Sequence, residues 1–117
     1  MGEVIDLKDV LERVQDDREL LLELLDIYQE DFVGKKRALG EAVNGKDFSK
    51  IKELAHSLKG ASGNISARGM HANLLKIEQM AGQNDLSQVN GILTELDRQF
   101  AQLKVYAAHL KKEWGKA

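Results

Sequence analysis

The chain has no cysteine and no proline, and aromatics make up only 5% of its 117 residues. Without cysteine, disulfides and thiolate metal sites are excluded, and a reducing cytoplasm is the natural setting. No apolar run approaches the ~18 residues of a membrane span. The opening Met1-Gly2-Glu3-Val4-Ile5-Asp6 lacks the basic-then-apolar order of a signal peptide. Gly2 suggests myristoylation, but Asp6 stands where that motif wants Ser or Thr. A formal net charge of −2 gives no global basic field for nucleic acid or anionic lipid. No glycine-rich loop stands in the strand context that nucleotide binding requires, so ATP binding is not expected. What is present is 43% hydrophobic and 31% charged, the profile of a soluble helical bundle forming one domain over residues 1–117.

Apolar spacing places five helices. Asp6 can cap a short one running to about Gln15, with Leu7, Val10, Leu11 and Val14 at i, i+3, i+4, i+7. Asp16 or Asp17 caps a long second helix whose apolar face holds Leu20, Leu21, Leu24, Leu25, Tyr28, Phe32, Leu39 and Val43. Gly34 and Gly40 weaken it and allow a bend. Gly45 is a C-cap and Asp47 an N-cap, opening a third helix over about 47–63 with Phe48, Ile51, Leu54, Ala55, Leu58 and Ile65 inward. A break near Asn64 to Ala67 precedes a fourth helix to Ala81, buried through Met70, Leu74, Ile77 and Ala81. After Gly82-Gln83-Asn84-Asp85, the last helix starts near Leu86 and runs to Trp114 on a seam of threes and fours. Short connections predict an all-α, antiparallel up-down four-helix bundle with a short extra N-terminal helix across one end.

The third helix carries Ala55-His56-Ser57-Leu58-Lys59-Gly60-Ala61-Ser62-Gly63-Asn64. On a wheel of about 100° per residue, His56 falls roughly 150° from the apolar centre and faces water. Lys52 and Lys59 lie on the same face, on one flank of it, and Gly60 and Gly63 share the outward face. Each glycine inside a helix costs about 0.5–1 kcal/mol relative to alanine, so a plain surface is better served by Ala. A neutral imidazole is a good nucleophile near neutral pH, where lysines are protonated. Attack on a phosphoryl group needs Nε2 free and a partner on Nδ1–H, and a lysine one turn away stabilises the transferred charge. The glycines let a second protein bring its own group close.

At these residues the sequence resembles the histidine-containing phosphotransfer (HPt) family of bacterial two-component phosphorelays, whose pattern is His, any residue, an aliphatic, Lys, Gly, then small residues. Here it stands as His56-Ser57-Leu58-Lys59-Gly60-Ala61-Ser62-Gly63-Asn64-Ile65, and the likeness extends over nearly the whole chain. The resemblance implies that His56 is phosphorylated, Lys59 steadies the phosphoryl oxygens, and Gly60 and Gly63 give a receiver domain a flat approach alongside Asn64. It implies a Gln or Glu from the next helix on the imidazole Nδ1–H. Counting along the motif reaches Glu78, with Gln79 as the fallback. The implied partners are response-regulator receiver domains, sensor histidine kinases, or both. Each receiver brings an acidic pocket and its own Mg²⁺, so the chain itself needs no cofactor. Lys52, Lys59 and Arg68 would complement that pocket, with Leu22 and Val33 as apolar contacts, Leu22 being better explained by burial under the first helix.

The other histidines, His71 and His109, give no pairing at helical ligand spacing, so no metal site is expected. His71 reads as a boundary contact near Glu78 and His109 as solvated. The expected protein is a monomeric cytoplasmic phosphocarrier without a kinase site, standing alone or cut from a hybrid kinase. Two other readings remain open. One is direct phosphorylation by a histidine kinase's ATP-binding module, the chemotaxis-kinase arrangement. The other is a non-catalytic helical interaction module.

Overall fold

Three aspartates open three of the helices. The Asp6, Asp17 and Asp47 carboxylates accept from the backbone N–H of Asp9, Leu20 and Lys50 at 3.1, 3.0 and 3.1 Å. Each satisfies one of the donors that a helix start leaves without a partner. The computed structural model describes residues 4–115 and contains α1 (Leu7–Arg13), α2 (Arg18–Asn44), α3 (Phe48–Asn64), α4 (Arg68–Gly82) and α5 (Val89–Trp114). Gly2 and its neighbours in 1–3, on which the signal-peptide and myristoylation readings bear, lie outside the described residues, as do 116–117. No described helix is long and apolar enough to cross a membrane.

The helices end on a shared device. At the ends of α1, α2, α3 and α4 a left-handed residue follows the cap: Gln15, Lys46, Ser66 and Asn84, with φ of 55°, 54°, 57° and 55°. The next N–H then reaches back across the turn: Asp16 to Leu11 O, Asp47 to Ala42 O, Ala67 to Ser62 O and Asp85 to Met80 O, at 2.8 to 3.0 Å. This is the Schellman closure, which usually places glycine at the left-handed position. No glycine among the described residues has positive φ. Gly45, read from the sequence as the C-cap, does follow α2, but at φ −86°, and the left-handed backbone falls on Lys46. The same geometry ends α1 at Arg13, two residues before the expected Gln15. The last helix starts at Val89, after a turn through Leu86. Helix α2 runs unbroken through Gly34 and Gly40.

Helix α2 packs on α3 and α5, and α4 packs on α3 and α5, so the four long helices close a ring around one core. The most extensive of these contacts is α3 with α4. Phe32 stacks on Phe100 at 4.3 Å between ring centroids, joining α2 to α5. Leu20, expected inside, is exposed, because the buried stripe of α2 runs through Leu21, Leu25, Tyr28 and Phe32. Leu22 is partly buried against the core and Val33 is 50% exposed. Short α1 is tied to the α3–α4 turn. Asp6 N–H donates to Ser66 O at 2.9 Å, and the Ser66 hydroxyl donates to Asp9 Oδ2 at 2.6 Å. These bonds hold Ser66 in its left-handed conformation.

Candidate functional site

Helix α3 buries Ile51, Leu54, Ala55, Leu58 and Ser62, which turns His56 outward. Its side chain is 69% exposed, while the Glu78 side chain on α4 is only 15% exposed. Glu78 follows Ile77, a fully buried residue, and sits on the flank of α4 that meets α3. Its carboxylate spans two partners: His56 Nδ1 lies 2.8 Å from Oε2, and Lys59 Nζ lies 2.6 Å from Oε1. A carboxylate only accepts, so the imidazole proton sits on Nδ1 and the basic lone pair is on Nε2. Among the described residues Nε2 has no partner and faces solvent. The Lys59 ammonium beside Glu78, and then the His56 contact, hold the Glu78 carboxyl below the usual carboxylate range, against the opposing effect of burial.

Helix α3 is also pinned on its other flank. Lys35 Nζ donates to Ser57 Oγ at 2.7 Å and pairs with Asp31 at 3.1 Å. Deeper in, the buried Ser62 hydroxyl donates to Leu58 O at 2.8 Å and lies 2.7 Å from Tyr28 Oη, so the phenol supplies the proton between them. Ser62, read from the sequence only as one of a run of small residues, is therefore a cross-link between α3 and α2. Neither contact has a sequence signal beyond a polar residue beside a buried stripe.

The remaining sequence candidates divide. Gly60 is exposed, and a Cβ there would meet nothing within 4 Å. Gly63 differs: a Cβ would come within 3.3 Å of His71 Nδ1, so this glycine faces a neighbouring ring rather than a clear surface. Lys52 and Asn64 are exposed on α3, and Gln79 is exposed beside Glu78 without reaching His56. Arg68 pairs with Asp6 at 3.1 Å and Asp9 at 3.6 Å. It stands ten residues before Glu78, about 15 Å away along α4 at 1.5 Å per residue. His71 contacts the Lys59 carbonyl at 3.1 Å rather than Glu78. His109 pairs with Glu113 at 3.1 Å on the exposed face of α5. No group of three or more described His, Cys, Asp or Glu side chains is placed to hold a metal ion.

The arrangement is a solvent-facing nucleophilic nitrogen whose ring is held from behind by a carboxylate that also holds a cation. The Hpt domain model matches residues 7–106 of the chain. No curated protein matches the sequence. Among solved structures, the chain is similar to the crystal structure of histidine-containing phosphotransfer protein B (HptB) from Pseudomonas aeruginosa PAO1. The TM-score is 0.88 at 20% identity, covering 97% of this chain and 98% of that one. That likeness establishes the shared fold.

Proposed function

The chain belongs to the Hpt domain family, and we propose that His56 is the residue on which it performs that family's phosphorelay role. It is a phosphorelay intermediate, a phosphocarrier rather than a kinase. The observation that carries the proposal for His56 is its tether: Nδ1 is held by Glu78 at 2.8 Å while the ring is 69% exposed. In the forward step Nε2 bonds to phosphorus as the acyl P–O bond of an aspartyl phosphate breaks, and the aspartate leaves as its carboxylate. The imidazole becomes cationic during attack, and the Glu78 carboxylate lies against the nitrogen that shares this charge. Lys59 starts bound to Glu78 and is one turn from His56, within reach of the incoming phosphoryl oxygens.

The partner is a receiver domain or a kinase, and Mg²⁺ belongs to the receiver. The clear space at Gly60 supports close approach on that side of α3. Lys52, one turn before His56 on α3, supplies an exposed positive charge suited to steering an acidic partner. Asn64 lies further along the helix. Arg68 can add only long-range charge, since Asp6 and Asp9 already engage it. The ring of packed neighbours and the short turns support an antiparallel up-down reading of the four long helices, as one domain. A monomer working in the cytoplasm is the proposed state, free-standing or as part of a hybrid kinase.

Incubation with a phosphorylated receiver, and separately with histidine kinase plus ATP, tests the proposal. An acid-labile, alkali-stable label that His56→Gln removes supports it, and the donor that works identifies the direction. An unchanged label in His56→Gln moves the acceptor elsewhere. No label from any donor favours an interaction module.

A further inference from the structure

His71 lies on α4 seven residues before Glu78, on the same flank, about 10 Å away along the axis. Its Nδ1 is 3.1 Å from the backbone carbonyl of Lys59. A carbonyl only accepts, so the ring donates through Nδ1–H. That carbonyl lies inside α3, where it already accepts from the helix's own N–H and has a second lone pair to offer. Reaching it from a neighbouring helix requires the side chains around it to stand clear. Gly63, one turn on, provides that clearance, because a Cβ there would come within 3.3 Å of His71 Nδ1. A helix-weakening glycine and a half-buried histidine thus form one contact.

Lys59 is consequently held at both ends by the same helix. Its carbonyl takes the His71 proton, and its ammonium meets Glu78 at 2.6 Å. Two attachments two turns apart fix how far α4 can slide or rotate against α3. The residue whose placement depends most on that register is Glu78, which must bring one oxygen to His56 and the other to Lys59. We infer that His71 is a positioning residue for phosphotransfer: through the Lys59 carbonyl it sets the α3–α4 register that aligns Glu78 with His56, and Gly63 exists to admit it. The inference rests on the reading of His56 as phosphoacceptor.

The test compares the full chain with His71→Ala, His71→Asn and His56→Gln, using phosphoramidate as donor so that no partner protein enters. Nε2 bonds to phosphorus as the P–N bond breaks and ammonia leaves. The second readout is the ¹⁵N signature of the His56 ring, which reports the Nδ1–H tautomer without any phosphorylation. Loss of one hydrogen bond in the support predicts a fall of about three- to ten-fold in the labelling rate for His71→Ala. It also predicts a larger share of the Nε2–H tautomer at His56. His71→Asn places an amide N–H where Nδ1 stood and restores both readouts. Parental rate and parental ring signature in His71→Ala, whatever its melting temperature, overturn the inference, as does an Asn variant no better than Ala. If His71→Ala does not fold, Gly63→Ala takes its place against Gly91→Ala, a helical glycine on α5 whose added Cβ would meet nothing within 4 Å. Only the first should slow labelling and alter the ring, and equal behaviour of the two overturns the inference. A parent chain that takes no label removes the His56 reading instead, and the ring signature still decides the role of His71.

Discussion

Glu78 Oε2 stands 2.8 Å from His56 Nδ1, and the other Glu78 oxygen stands 2.6 Å from Lys59 Nζ. One carboxylate from α4 thereby fixes the tautomer of the imidazole and restrains the nearest cation on α3. The two bonds differ in what a substitution removes. Glu78→Ala abolishes both. Glu78→Gln can still accept the Nδ1 proton but brings no charge to Lys59 or to the imidazolium that forms on attack. Charged hydrogen bonds contribute about 1.5–3 kcal/mol, equivalent to roughly ten- to hundred-fold in rate if lost in the transition state. Single-turnover transfer from a phosphorylated receiver should therefore fall about ten- to hundred-fold in Glu78→Ala and less in Glu78→Gln. Equal rates for all three proteins would remove Glu78 from the reaction.

The same carboxylate makes stability depend on acid. Lys59 first, then His56, lowers the Glu78 pKa from its ordinary 4.5. Asp9 shifts in the same direction through Ser66 and Arg13. The unfolded chain therefore binds these protons at higher pH than the folded one. The stabilisation is present above the ordinary carboxylate value and is lost as pH falls through the lowered folded one. Melting temperature should drop on acidification below about pH 4.5. In Lys59→Met the Glu78 carboxyl, followed by ¹³C NMR, should titrate at higher pH and the acid-side drop should be shallower. A Glu78 titration that ignores the loss of Lys59 contradicts this account.

Tyr28 and Ser62 supply a stability test away from the histidine. The phenol is buried, which pushes its pKa up to about 12, and it donates to a hydroxyl whose own proton goes to Leu58 O. Tyr28→Phe keeps the ring beside Phe32 and leaves Ser62 bonded to its own helix. The expected cost is about 1 kcal/mol, the net value of one hydrogen bond, read as a shift in the urea midpoint at unchanged slope. A cost near zero would mean that the phenol finds no better partner in Ser62 than in water.

The sequence makes legible what depends on side-chain period. Met70, Leu74, Ile77 and Ala81 repeat at helical spacing and are all buried, so the next position, Glu78, falls on a flank that can meet α3. The outward turn of His56 follows in the same way from Ile51, Leu54, Ala55 and Leu58. Less legible is whatever depends on backbone acceptors or on register between helices. The His71 bond ends on a carbonyl, which every residue carries, so nothing in the composition marks Lys59 as its acceptor. The helix ends hide for a different reason. Gln15, Lys46, Ser66 and Asn84 hold left-handed positions that composition marks only at glycine, and the glycine beside Lys46, Gly45, is itself at φ −86°.

Lys46 makes the cost of a non-glycine left-handed position measurable. It is exposed at φ 54°, a conformation that crowds its Cβ and that glycine adopts freely. Lys46→Gly should raise unfolding free energy by about 0.5–1 kcal/mol in denaturant titration, despite the added freedom of the unfolded chain. Gly45→Ala, at φ −86°, has no such strain to relieve. A destabilised Lys46→Gly would mean that the turn is held in a different conformation.

Gly60 separates the needs of the fold from those of a partner. A Cβ there meets nothing within 4 Å, so Gly60→Ala should stabilise the chain by about 0.5–1 kcal/mol, the ordinary gain of alanine inside a helix. A fold selected only for stability has no use for the glycine. On the proposed reading a visiting domain does, since it would bring an aspartate to Nε2 across the next turn of α3. Gly60→Leu should accordingly leave labelling by phosphoramidate close to the parent rate. Transfer to or from a receiver should slow by ten-fold or more, the scale expected when a bulky side chain displaces reacting groups by about 1 Å. Equal slowing with both donors would instead place the effect at the His56 ring itself. No slowing with either would leave the glycine without a role in docking.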